Sequence, residues 1–280
     1  KRDEESTLSA NIGVDISGAT VEELNGYVSI ADAEYHYPGG DIYSNRLRID
    51  LDSTPQQKYV QCRSDFFAFD FRSRSSYADI FDYLYNSLKT YVPLLYDNAT
   101  QTRYDSSSAN SANEYTVFTL TANDEINSLL DAIAGGLVVA PGTNLSLTFN
   151  PRSNNIILKG KSEAVEYSGV ILGYLECDVN NSKERDSMVV ALDSKCVYMG
   201  ANPLMPNFSI NGGVSNNMVD LSIGYSDNEG GNAALLALKA ELQRNMESKG
   251  RRVMVDVEPS YFHNMEQRWE LSSRGILIEP

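Results

Sequence analysis

TANDEINSLLDAIAGGLVVAPGTNLSLTFNPRSNNIILKGKSEAVEYSGVILGY, residues 121–174, decides the fold. Thr121 and Asn123 can cap a helix, and Asp124 and Glu125 put negative charge in its first turn, where the helix dipole favours it. Ile126, Leu129, Leu130 and Ile133 form one apolar stripe at helical spacing. Gly135 and Gly136 end it. Asn144–Phe149 then alternates polar with apolar, 150–155 is dense in turn formers, and Ile156–Leu158 resumes an apolar strand, which predicts a hairpin. Tyr167–Tyr174 is a further apolar strand between small residues. The unit is a helix leading into a hairpin, and it contains no chemistry.

Working outward, the same periodicities recur. Leu47, Ile49 and Leu51 face one way on a strand while Arg46, Arg48 and Asp50 face the other. Phe67, Phe69 and Phe71 share a face. Ser76, with Asp79 three residues on, opens a second helix carrying Ile80, Phe81, Leu84 and Leu88, which Pro93 ends. Thr100–Asn113 is a low-complexity loop. A third helix is predicted from Asn232, with Leu235, Leu238, Leu242 and Met246 as its stripe and Gly250 beyond its end. Val253, Val255 and Val257 then alternate on a strand. About ten short strands with helices between them predict a mainly β fold, an antiparallel jelly roll or β-sandwich. Two lobes are expected: residues 1–113, β-rich with one helix, and 114–280, a jelly-roll-like sandwich with two helix–hairpin units. The chain starts at Lys1, so residues upstream are expected.

Composition narrows the function. The net charge of -15 repels phosphate backbones, so nucleic acid is not expected as the main partner. No apolar run is long enough for a transmembrane helix. Three cysteines without regular spacing argue against a disulfide scaffold; Cys177 and Cys196 could face each other, but buried free thiols are the simpler reading. Sequons stand at Asn98, Asn144, Asn180 and Asn207. His36 and His263 are the only histidines and lack companions at metal-ligand spacing. Asp50 and Asp52 share a strand face near Asp41 and Asp65, a set that could serve calcium or glycoside chemistry but reads first as a solvated face. Asp193 and Cys196 lie close in sequence without a His in a recognisable pattern. Arg251 and Arg252 are a basic pair, read as serving a helix end or touching an acidic neighbour. Trp269 reads as a core residue, with a sugar platform as the functional alternative. No catalytic, cofactor or metal site is expected, and the chain is not expected to be an enzyme.

The run Asn144–Leu158, with the Asp124–Ile133 helix before it and Val170–Tyr174 after it, resembles jelly-roll capsid proteins of the virophage and Polinton lineage; Leu172-Gly173-Tyr174 matches their closing motif. The resemblance covers about 50 residues. It implies a structural capsid component of the virion, a single jelly-roll penton or other minor capsid protein. Such a protein self-associates as a homopentamer and docks to neighbouring capsid proteins. The alternatives are a secreted or surface-displayed adhesin or phage tail module that binds glycans, and a carbohydrate-active enzyme using carboxylates of the Asp41–Asp65 region.

Overall fold

The computed structural model describes residues 6–54, 56–96, 115–150, 155–182, 187–227, 231–244, 250–265 and 267–278. In chain order the first half holds β1 (Thr7–Ser17), β2 (Asn25–Tyr37), β3 (Gly40–Thr54), β4 (Gln57–Ser64), β5 (Phe67–Ser73), α1 (Tyr77–Tyr91), β6 (Thr116–Ala122) and α2 (Ile126–Ile133). The second half is all strand: β7 (Leu137–Val139), β8 (Asn144–Asn150), β9 (Asn155–Tyr167), β10 (Val170–Ser182), β11 (Ser187–Met199), β12 (Asn202–Ser215), β13 (Met218–Ser226), β14 (Asn232–Arg244), β15 (Arg251–Asn264) and β16 (Gln267–Ile278). The chain is mainly β and antiparallel, as its alternation predicts.

The strands form one 16-stranded sheet whose spatial order is the order of the sequence. β7 and β8 both pair with β9, one after the other, so they act as a single interrupted strand. This is a meander. The Greek-key exchange of a jelly roll is absent among the described strands. β5 pairs with β6, so the sheet runs unbroken past residue 113, where the composition places a lobe boundary.

Two of the three predicted helices form. α1 starts where expected: the amide of Asp79 donates to Ser76 Oγ at 3.0 Å. The side chains of Phe81 and Leu88 lie outside the described set, as does the 100–113 loop. α2 spans Ile126–Ile133. Asn123 is not its side-chain cap; its Nδ2 donates to the Ser64 carbonyl instead, tying the helix start to the β4–β5 turn. Ile133 leaves the stripe and is 69% exposed.

The third helix is a correction: residues 232–244 are strand β14. Ala234, Leu236, Leu238, Ala240 and Leu242 also alternate at period two. Hydrogen-bonded partners on both sides, β13 and β15, override the helix preference of Ala, Leu, Glu and Lys. The strands are also longer than expected, commonly 13 residues or more.

The sheet is bent along a line that crosses the strands. Asp32, Tyr174 and Asn207 hold left-handed backbone in mid-strand, at φ of 50°, 51° and 48°. Such a bend breaks the ladder and leaves carbonyls without partners. Buried serines beside it supply them: Ser44 Oγ donates to Arg46 O, Ser162 Oγ to Ala164 O and Ser194 Oγ to Cys196 O, at 3.2, 2.8 and 3.1 Å. The Asp65 carboxylate accepts the amides of Asn45 and Arg46 at 2.6 and 3.2 Å on the same line. α1 and α2 pack on one face of the sheet, the same face that carries the apolar cavities and is taken as its concave side.

Candidate functional site

The register fixes which side chains share the concave face. Val14 pairs with Val28, Val28 with Ile49, Ile49 with Cys62, Cys62 with Phe69 and Phe69 with Leu120. The row continues through Leu145, Gly160, Cys177, Leu192, Ile210, Ile223 and Leu236. A parallel row, two residues along each strand, runs from Ile16 through Phe71, Phe118, Leu147 and Leu158 to Leu238 and Val257. No charged residue interrupts either row. At a strand spacing of about 4.8 Å, the first row is about 60 Å long.

One residue off this register the character inverts. Asp15, Tyr27, Asp50, Gln61, Asp70, Thr119, Ser146, Lys159 and Asp178 follow one another across the convex face. There the polar groups satisfy each other. Arg63 and Asp70 pair at 2.9 Å, Lys159 and Asp178 at 3.4 Å, and Lys161 and Glu176 at 2.9 Å. Burial pushes the Asp70 carboxyl up, but hydrogen bonds from Gln61, Arg63 and Tyr59 outweigh it and hold it below its ordinary range.

The concave face is only partly covered. α2 lies over one section: Ile126, Leu129 and Leu130 pack with Ile42, Phe66 and Ala122. Beneath it is an apolar cavity of about 330 Å³, floored by Leu120, Leu145, Gly160 and Cys177. α1 covers a second section, where Leu84 packs on Phe149 and Ile156. Towards β16 a second apolar cavity, of about 360 Å³, is lined by Met205, Phe208, Tyr225, Phe262 and Trp269. The groove is open at both lateral ends: Ile12 and Val14 are 65% and 61% exposed, and Ile278 is 55% exposed.

The residues singled out by sequence do not converge. Asp50 takes Arg48 at 2.8 Å on the convex face, Asp65 caps the bend, and Asp41 meets His36 at 2.7 Å. Asp52 is exposed on β3. His263 sits opposite Arg268 on β15. Among the described residues no three His, Cys, Asp or Glu side chains gather in a metal-binding group. Cys62, Cys177 and Cys196 are free thiols; Cys177 faces Leu192 across the ladder while Cys196 faces Gly173. Cys62 and Cys177 belong to the groove floor. Trp269 corrects the core reading: it is 48% exposed, stacked on Phe262 at 5.4 Å, at the open end of the groove. Arg251 and Arg252 lie on a strand and not at a helix end. Asn144 and Asn207 are exposed and Asn180 is half-buried, while Asn98 lies outside the described residues.

His36 gives one local prediction. The hydrogen bond that its Nδ1 donates to the Asp41 carboxylate raises its pKa above 6.5, with Glu34 adding to the effect. A group raised on folding stabilises below its unfolded pKa, and that contribution disappears as pH rises through the folded pKa. An NMR titration of the His36 ring should show a midpoint above 6.5, and Asp41→Asn should bring it back down. An unchanged midpoint in Asp41→Asn contradicts the assignment.

No helix among the described residues is long and apolar enough to cross a membrane. Comparison of the chain with protein-family models, with curated proteins and with solved structures returns no match to any of them.

Proposed function

We propose that this protein is a non-enzymatic binding scaffold for acyl-chain lipids, which lie in the concave groove across the strands. The observation that carries this is the unbroken apolar row from Val14 to Leu236, on one face of a sheet whose other face is polar. Leaving such a face to water is unfavourable in proportion to its area. A groove about 60 Å long exceeds the roughly 15 Å that the acyl chains of one bilayer leaflet span. The open side of the trough leaves a polar headgroup in water while the chains sit on Leu, Val, Ile and Phe. The capsid reading, with its homopentamer and its virion location, rests on the helix–hairpin motif. It needs complementary outer flanks, whereas the continuous apolar surface here lies on the helix-covered face of the sheet and the opposite face is charged.

The test is saturable binding of a fluorescent fatty acid to the purified chain. Leu145→Arg puts a charge on the groove floor beneath α2 and should weaken binding by at least about tenfold. Ser146→Arg, one residue along on the convex face, should bind like the wild type and shows that the strand tolerates an arginine. Equal behaviour of the two variants, or no saturable binding by the wild type, overturns the reading.

A further inference from the structure

The polar face carries a cleft of its own. Where the bend crosses β9, β10 and β11, an open hollow of about 580 Å³ is lined by Lys161, Glu163, Tyr174, Glu176, Asp193 and Lys195. The ladder brings these six together. Lys161 pairs with Glu176, and Glu176 with Asp193. Ser162 and Ala164 of β9 pair with Leu175 and Gly173, which pair in turn with Ser194 and Cys196 of β11. Tyr174 therefore stands between Glu163 and Lys195. Two rows of three side chains, two residues apart on each strand, share one face.

Tyr174 is the unusual member. Its backbone is left-handed, as at two other positions on the bend, Asp32 and Asn207. Asp and Asn enter that region at low cost, whereas a bulky tyrosine is strained there. The bend alone does not call for a tyrosine, and strain of this kind gathers at binding sites. Nor is the ring spent on the core: it is 58% exposed, with Lys195 Nζ 4.2 Å from its centre.

The charged groups around the ring are of both signs. Lys161 Nζ and Glu176 Oε1 pair at 2.9 Å. The Glu163 and Asp193 carboxylates take no hydrogen bond or ion pair among the described residues, so their oxygens remain available as acceptors. Asp193 keeps this state although it lies directly opposite Glu176, an arrangement of like charges that is destabilising in a ladder.

We propose that this cleft binds a neutral oligosaccharide. A sugar ring offers an apolar C–H face that can lie on an aromatic ring, and hydroxyls that both donate and accept. The cleft supplies a counterpart to each: the Tyr174 ring, carboxylate acceptors at Glu163 and Asp193, and ammonium donors at Lys161 and Lys195. Three carboxylates against two ammonium groups leave it negative, in a chain of net charge -15, so sialylated, sulfated or phosphorylated ligands are disfavoured. The site lies on the opposite side of the sheet from the apolar rows and stands or falls without the lipid reading.

The experiment applies the full chain to an array of neutral oligosaccharides, with the sialylated and sulfated forms of the same cores beside them, and then titrates the best neutral binder. Binding should be confined to neutral structures. Tyr174→Asn removes the ring and keeps a residue that tolerates the left-handed backbone. It should weaken binding by about tenfold, the effect of losing an aromatic anchor, while the urea midpoint does not fall. Asp193→Ala should weaken binding by about fivefold, the value of one hydrogen bond. Absence of binding to every neutral structure, a preference for the acidic forms, or unchanged affinity in both variants overturns the proposal. A loss in Tyr174→Asn that comes with a lowered urea midpoint, and with unchanged affinity in Asp193→Ala, also overturns it, because the ring then serves the fold alone.

Discussion

Phe149→Ala should cost about 3–5 kcal/mol of unfolding free energy, the range for truncating a fully buried aromatic. Phe149 is 1% exposed and lies in register with Thr116 and Ile156. Leu84 of α1, Leu147 and Met188 pack around it. Few positions in this trough are so enclosed, because most of the concave face is covered on one side only. The truncation leaves a void between α1 and the sheet that neither can close, since the sheet is held by its ladder. Urea denaturation should show a lower midpoint with an unchanged slope. Val138→Ala, at a position 44% exposed, should stay within about 0.5 kcal/mol of the wild type. A loss below about 1 kcal/mol for Phe149→Ala would show that α1 does not seal this part of the floor.

How far the sequence discloses the fold depends on which interactions are local. Alternation in 47–51, 144–149 and 253–257 is written in neighbouring residues, and those strands form as read. α1 and α2 announce themselves through Ser76 and through the Ile126–Leu130 stripe. β14 does not, because its Ala-Leu-Leu-Ala-Leu-Lys-Ala run satisfies both periodicities, and the decision is made by β13 and β15.

Strand order is not in the alternation at all; it is in the turns. Ser168 and Gly169, between β9 and β10, both have positive φ, and so do Asn216 and Asn217 between β12 and β13. Two-residue turns of this kind join adjacent antiparallel strands. Ser-Gly and Asn-Asn between alternating runs are therefore the legible sign of a meander. The groove is less legible than the strands. Its floor consists of residues such as Leu145, Gly160 and Cys177, each unremarkable in its own segment, and only the register places them in one row. The cleft around Tyr174 is hidden for the same reason.

The second large effect is expected at Glu22. Lys58 is 4% exposed and stands on the concave face of β4, opposite Ser53 and Ser73. Its ammonium donates to the Thr54 carbonyl at 2.8 Å and lies 3.4 Å from Glu22 Oε2. That oxygen is buried and takes no hydrogen bond among the described residues, so the ion pair is its compensation. The other oxygen, Oε1, accepts the Tyr77 amide at 2.9 Å, at the first residue of α1, where the helix dipole favours negative charge. One carboxylate thus neutralises a buried lysine and fastens the helix that covers the groove.

Glu22→Gln keeps the shape and strands the ammonium. Breaking a fully buried pair costs about 3–5 kcal/mol, and the 36% side-chain exposure of Glu22 lowers the expected loss to about 2–3 kcal/mol. Lys58→Met in the same chain removes the charge that needs a partner, so the double variant should regain most of the loss. Urea denaturation of the two single variants and the double variant decides the matter as a cycle. If Glu22→Gln costs as much in the Lys58→Met background as in the wild type, the ion pair contributes nothing and the carboxylate acts only at the helix start. If the cost vanishes in that background, the carboxylate acts through the buried lysine alone, and its contact with the first residue of α1 adds nothing to stability.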